Sequence, residues 1–167
     1  KLDGDGRAAR LSLLRERLAL IQERLDSGVA VGDPRVRSRR VELLRELVQR
    51  DGEDVDSMLR LGDLLAETED PDEHEEALGL WYRAGELLER EDDRFFEPAH
   101  ELASHAAQRG EVEIARELLE RALEIRPGSS KTLAQLRTCA EVLGDDDLLL
   151  RCVRGLLHEV DDANERA

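Results

Sequence analysis

The sequence predicts an all-α fold, and three observations carry the prediction. Leu, Ala, Glu and Arg dominate long runs in which apolar residues recur every three or four positions, the period of a helix with one buried face. Alternating β-branched or aromatic stretches are missing. Aromatics are only 2% of the 167 residues, and the valines near position 30 sit in a short stretch closed by Gly28 and Gly32. Gly and Pro then fall at intervals that cut the chain into about eight helices.

The first helix is expected from about Ala8 to Asp26, with Leu11, Leu14, Leu18, Ile21 and Leu25 in one heptad-like stripe. Before it, Asp3-Gly4-Asp5-Gly6 opens like a calcium loop, but Arg7 stands where a third oxygen ligand belongs and Leu14 replaces the closing Glu. A flexible leader is expected there. Ser27 to Gly32 breaks the helix, and Asp33-Pro34 restarts it as a cap followed by proline in the first turn. This second helix runs to about Arg50, where Asp51-Gly52 ends it. A third begins near Asp54 with Met58, Leu61, Gly62 and Leu65 inward. The fourth, from Pro71 to about Arg90, opens on an acidic turn that suits the positive end of the helix dipole and turns Ala77, Trp81 and Ala84 inward. Helices five and six divide at Gly110 and stop at Pro127-Gly128. Helices seven and eight are expected over Ser130–Leu143 and Asp145–Val160, around the Gly144-Asp145 turn, leaving 161–167 as a frayed tail.

Between Phe96 and Ser129, the residues Ala99, Leu102, Ala103, Ala106, Gly110, Ala115, Leu119, Ala122 and Pro127 stand at the spacing of a tetratricopeptide repeat, and the segment resembles that family. Small residues let two helices approach, and large ones fill the space between them. Residues 53–90 resemble the pattern through Met58, Leu61, Gly62, Leu65, Ala77, Trp81 and Ala84, with a lengthened turn around Thr68 to Pro71. Residues 130–160 match in part, through Leu133, Leu136, Ala140, Val153 and Leu156, but Arg137, Leu149 and Asp161 depart from it as in a capping repeat. The pair at 8–50 is atypical: Leu44 and Leu47 fit, while Arg40 takes a small-residue position. The resemblance implies one TPR-like domain over 1–167, a right-handed superhelical stack of antiparallel helix pairs, or α-solenoid.

It also implies a non-catalytic scaffold that holds a partner protein or peptide in a groove lined by the first helix of each pair. The groove positions fall on Asp56, Leu59, Asp63, Ala66 and Glu67; on Glu97, His100, Ser104, Ala107 and Gln108; and on Lys131, Ala134, Thr138, Glu141 and Val142. The Lys and Asn pattern that clamps a C-terminal carboxylate in chaperone-binding members is absent, so a chaperone-tail receptor is not expected. Trp81 is expected in the core, with Tyr82 and Phe95 rimming a contact site.

The net charge of −15 speaks against nucleic acid as partner. Its distribution is lopsided: residues 1–50 carry 12 Lys or Arg against 8 Asp or Glu, and the rest 13 against 32. That favours docking to a charged partner or head-to-tail self-association. Arg35, Arg37, Arg39 and Arg40 are the candidate docking cluster for an acidic partner, while the twelve carboxylates between Asp51 and Glu76 suit a basic one. His74, His100, His105 and His158 show no metal-ligand spacing, and no cofactor, metal site or catalytic set is expected. Cys139 and Cys152 are expected as buried thiols of a reducing compartment. No apolar run is long enough to span a membrane, so a cytoplasmic location is expected. The Leu11 to Leu25 stripe is expected to close the N-terminal end of the stack or to pair with a second chain or neighbouring domain; the alternative function is accordingly a soluble assembly domain, oligomerising through that stripe. It would belong to a larger, membrane-anchored protein of bacterial cell-envelope or exopolysaccharide export machinery, since the chain begins at Lys1 and leaves an upstream anchor or domain open.

Overall fold

The computed structural model describes residues 2–28 and 33–165, with side chains over 6–28 and 33–157. Eight α-helices run along it: α1 (Leu2–Asp26), α2 (Pro34–Arg50), α3 (Val55–Ala66), α4 (Pro71–Leu87), α5 (Phe96–Gln108), α6 (Val112–Ile125), α7 (Ser130–Leu143) and α8 (Asp146–Glu165), with a short 3-10 turn at Asp93–Phe95 before α5. Strands are absent among the described residues. Two compact units form, one ending at Leu87 and the other beginning at Leu88, so the division falls between the second and third helix pairs.

Helix boundaries follow local chemistry. The Asp33 side chain accepts from Arg35 N–H at 2.9 Å with Pro34 in the first turn, Asp54 accepts from Ser57 N–H at 3.1 Å, and Ser129 from Thr132 N–H at 3.3 Å. Gly144 ends α7 at φ 67°, a left-handed conformation that a side chain would strain.

Three ends differ from expectation. Helix α1 starts at Leu2 rather than Ala8, so residues 2–6 are helical and not a flexible leader. No proline interrupts that stretch, and Asp3 and Asp5 favour a helix N-terminus. Helix α4 stops at Leu87, three residues early, because the carbonyls of Leu88, Glu89 and Arg90 accept from the Arg121 guanidinium at 3.4, 3.0 and 3.2 Å instead of extending the helix. Helix α8 continues to Glu165 through residues expected to fray, since 161–165 contain neither Gly nor Pro. The expected break opens at Ser27 and Gly28; positions 29–32, Lys1 and 166–167 lie outside the described residues.

In the first unit α1 packs on α2, α2 on α3 and α3 on α4. Leu14 buries against Leu43 and Leu47, with Leu11, Leu18 and Ile21 packed around them. The Leu11 to Leu25 stripe therefore closes onto α2. Of the two expected roles, closing the N-terminal end of the stack or pairing with a second chain, this packing is the first: Leu14 is 2% exposed, and only the partial exposure of Leu11, Leu18, Ile21 and Leu25 remains. Met58, Leu61 and Leu65 of α3 meet Ala77, Trp81 and Ala84 of α4, all buried where the repeat spacing put them. In the second unit α5 packs on α6, α6 on α7 and α7 on α8. Its core joins Ala103, Ala106, Ala115, Leu119, Leu133, Leu136, Cys139, Ala140, Leu148 and Cys152. Val153, expected inward with Leu156, faces out.

Candidate functional site

Two clefts, one in each unit, take in part of the predicted groove set: Asp56 in the first unit, and Ser104, Ala107, Gln108 and Thr138 in the second. In the second unit a cleft of about 370 Å³ opens between α5 and α7, over Leu119 of α6. Ser104 and Gln108 stand on the α5 wall and Gln135 and Thr138 on the α7 wall, above a floor that includes Ala103, Ala107 and Cys139. The lining carries no charged side chain. Gln135 Oε1 is buried there with no hydrogen-bond partner, a free acceptor that the low dielectric makes costly. Beyond the lining, Lys131 pairs with Glu97 at 2.7 Å and Arg137 with Glu141 at 3.5 Å, while Ala134 and Val142 are exposed on α7.

His100 is not in this cleft. It is 1% exposed and ties α5 to α7: Nδ1 lies 2.8 Å from the Phe96 carbonyl and Nε2 2.9 Å from Thr132 Oγ1. A carbonyl can only accept, so Nδ1 carries the proton of the neutral ring and Nε2 accepts from the Thr132 hydroxyl. Burial is the main cause that holds its pKa below the ordinary imidazole value, with the Lys131 charge acting in the same direction and the Phe96 bond against it. The groove assignment of His100 is therefore corrected to a buried strut.

In the first unit a cleft of about 710 Å³ lies between α1 and α3 over α2. Arg40, Arg60, Asp56 and Glu23 line it above an apolar floor that includes Leu18 and Leu44. Arg15, also on the wall, is held by Asp51 at 3.2 Å and Asp54 at 2.9 Å. Asp56 is the only α3 groove candidate in this lining. Leu59 is buried, a correction that follows from its position beside Met58 on the packed face. Asp63 is exposed as a residue, yet burial of its carboxyl raises its pKa, with the Glu67 charge adding to the shift. The neighbouring Trp81 indole N–H favours the charged form but closes no hydrogen bond of standard geometry. Ala66 is half-buried and Glu67 exposed.

The arginine cluster is dispersed by helical rotation, which corrects its reading as one docking point. Arg35 is exposed, while Arg37 turns inward to the Leu64 carbonyl at 2.9 Å and Glu73 at 2.8 Å. Arg39 pairs with Glu42 at 2.7 Å, and Arg40 faces the cleft. The acidic stretch is partly consumed inside the unit, through Asp51 and Asp54 on Arg15, Glu73 on Arg37 and Glu76 on Arg45.

Tyr82 is exposed as expected, but Phe95 is buried, with the Arg121 guanidinium stacked 4.1 Å from its ring centre; Arg126 lies 4.0 Å over Phe96 in the same way. Cys139 and Cys152 are buried free thiols whose pKa burial pushes up. The residue that the repeat positions missed is Gln135. It lies on one helical row with Lys131, Thr138 and Val142, and that four-three-four spacing is the signal that places it.

Solved structures share this arrangement of helix pairs. A crystal structure of MamA superposes with a TM-score of 0.63 at 20% identity, covering 98% of this chain and 79% of that one. A second crystal structure of MamA gives 0.62 at 19% identity over 91% and 81%. A putative kinesin light chain of Podospora anserina with nearly identical TPR-like repeats gives 0.54 at 19% identity over 91% and 77%. The fold is a TPR-like helical repeat. At these identities the likeness shows the fold alone. No family model matches the sequence, and no curated protein matches it. Among the described residues of this TPR-like chain, no helix is long and apolar enough to cross a membrane.

Proposed function

We propose that the chain is a non-catalytic protein-interaction scaffold whose α5–α7 cleft receives an extended segment of a partner protein. The buried, unpartnered Gln135 Oε1 in an open, uncharged cleft is the observation that carries this reading. Rotation of the Gln135 amide into the cleft would let a peptide main chain supply the N–H that this oxygen lacks, and the Ser104 and Thr138 hydroxyls and the Gln108 amide supply further neutral donors and acceptors. A charged group entering the cleft would lose its hydration and meet no counterion in the lining. The same lining argues for a scaffold rather than an enzyme. Its one thiol, Cys139, is shifted away from the reactive thiolate, and neither hydroxyl is placed beside a base in the lining. Glu97, Lys131 and Glu141 flank the cleft and bias which segments approach. In the first unit, Asp56, Arg40 and Arg60 offer a second contact face of mixed charge. Buried free thiols suit a reducing, cytoplasmic setting.

Selection from a displayed library of random peptides tests the reading, using the parent and a Gln108→Ala, Gln135→Ala, Thr138→Glu variant of unchanged helicity. Peptides are expected to enrich on the parent and not on the variant. Equal enrichment on both would remove the cleft from the account.

A further inference from the structure

Within each unit the second helix of one pair packs on the first helix of the next, α2 on α3 and α6 on α7. On α6 the row Val112, Arg116, Leu119 and Leu123 makes that contact: Leu119 is buried, and Val112 and Leu123 pack on the core that α7 shares. One repeat later, the corresponding row on α8 is Asp146, Leu150, Val153 and Leu157, with the same four-three-four spacing. No described helix covers it. Leu150 is 52% exposed, Val153 37% and Leu157 60%.

Helix α1 has the complementary condition. The Leu14 side is used on α2, and a second row, Leu13, Arg17, Leu20 and Arg24, lies on the adjoining exposed side of α1 at the same four-three-four spacing. Leu13 is 42% and Leu20 60% exposed. Leu20 borders a shallow groove of about 220 Å³ that Ile21 and Leu43 also line, with Arg17, Arg24 and Arg39 around it.

We propose that α1 of a second copy docks antiparallel on α8, in the place that the first helix of a following pair would take, so that the chain associates head to tail with itself. The spacing sets the register. Leu13 meets Leu157, Leu20 meets Leu150, Arg24 meets Asp146 beside Asp147, and the aliphatic stem of Arg17 crosses Val153. The other pairings of these rows fail on charge or shape. A parallel arrangement puts Leu13 on Asp146 and Arg24 on Leu157. Two α1 rows set arginine on arginine when parallel and arginine on leucine when antiparallel, and two α8 rows set aspartate on aspartate when parallel and Asp146 on Leu157 when antiparallel. The basic excess of residues 1–50 and the acidic excess of the remainder draw opposite ends together over longer range. The contact is heterologous, so each docked copy leaves one α1 and one α8 row open, and association continues unless the geometry closes a ring. This association uses faces separate from the α5–α7 cleft and does not rest on the cleft reading.

Sedimentation velocity across a concentration series tests it. The parent is expected to rise above the 18.9 kDa of one chain without stopping at two copies. Leu20→Glu and Leu150→Glu, both at exposed positions, are each expected to lose association. An equimolar mixture of the two is expected to form a pair that goes no further, because each variant keeps the row the other has lost. The charge reversals Arg24→Asp and Asp146→Arg are each expected to weaken association, and combining them in one chain to restore it. A parent that stays monomeric at the highest concentration, association that survives either Glu variant alone, or a mixture that does not pair would each overturn the proposal.

Discussion

Replacing Gly62 with Ala probes how closely α3 and α4 approach. A Cβ built on Gly62 meets Trp81 Nε1 at 2.5 Å, Cδ1 at 2.8 Å and Cε2 at 3.0 Å, all inside ordinary van der Waals contact. Trp81 is buried, so the indole has no open space into which to swing. Overpacking of this kind costs about 1–3 kcal/mol, while exchanging Gly for Ala inside a helix returns roughly 0.5–1 kcal/mol. The net expectation is a loss of about 0–2.5 kcal/mol, centred near 1 kcal/mol. Gly79 provides the control, because a Cβ there meets nothing within 4 Å. Gly79→Ala on the neighbouring helix is therefore expected to stabilise by about 0.5–1 kcal/mol. The assay is denaturant unfolding followed through tryptophan fluorescence. The chain has one Trp, Trp81, which reports the first unit without contribution from the second, so the measurement does not require two-state behaviour of the whole chain. A lower midpoint for Gly62→Ala and a higher one for Gly79→Ala are expected at unchanged slope. A Gly62→Ala midpoint equal to or above the parent would refute the close-approach account.

Two further predictions concern the second unit. His100 is neutral in the folded state and has its pKa lowered, whereas the unfolded chain takes up a proton near the ordinary value of about 6.5. The unfolded state therefore binds more protons as pH falls through that value, so stability of this unit is full above it and declines below it, before most carboxylates titrate. Urea unfolding by circular dichroism on either side of that range is expected to show the decline, and His100→Gln to flatten it; an unchanged slope in the variant would assign the decline to another group. Arg121→Ala removes the donor to three loop carbonyls and the cation over Phe95, and is expected to cost about 2–3 kcal/mol after discounting for its partial exposure. Arg121→Lys is expected to recover only a minor part, because an ammonium cannot span the three carbonyls. Hydrogen exchange at residues 88–95 reads this directly, and protection equal to the parent would refute it.

The fold was legible because packing in this chain depends on residue size at fixed spacing. Ala77, Ala84, Ala115 and Ala122 are all fully buried where the pattern requires a small residue, and Met58, Leu61, Leu65 and Leu119 fill the spaces between. Helix ends were less legible, because they depend on groups distant in sequence. No local signal at Leu88 tells that Arg121 will take its carbonyl. The groove was legible only as a helix face. Of the repeat-derived groove positions, Ser104, Gln108 and Thr138 line the cleft, but His100 and Leu59 occupy the same nominal face and are buried. His100 is drawn inward by the Phe96 carbonyl and the Thr132 hydroxyl, two acceptor and donor groups whose convergence is a tertiary event. The arginine run failed for the opposite reason: adjacency along a helix disperses side chains around its axis, and Arg37, Arg39 and Arg40 meet different neighbours.

Charge does different work at short and at long range in this molecule. Arg15–Asp51, Arg37–Glu73, Arg45–Glu76, Arg90–Glu124, Asp93–Arg126 and Glu97–Lys131 join residues 31 to 36 positions apart, close to one repeat length. Each pair is exposed to solvent that screens it, so none is a major source of stability by itself. Their common separation matters more than their strength, because a slip of one helix past the next by a turn would break pairs together and set like charges opposite one another. The ion pairs therefore act on register, while the buried Leu and Ala faces supply most of the stability. Carboxylates held in these pairs are not free to bind a partner locally, but they still contribute to the far field of an acidic surface. On the scaffold reading proposed above, a basic partner would be drawn toward that field within about 8–10 Å at ordinary salt. The α5–α7 cleft would then distinguish it by shape and main-chain hydrogen bonding and not by charge. Encounter and recognition would fall to different residues, and substitution at Ser104, Gln108, Gln135 or Thr138 is expected to act on the second without altering the first.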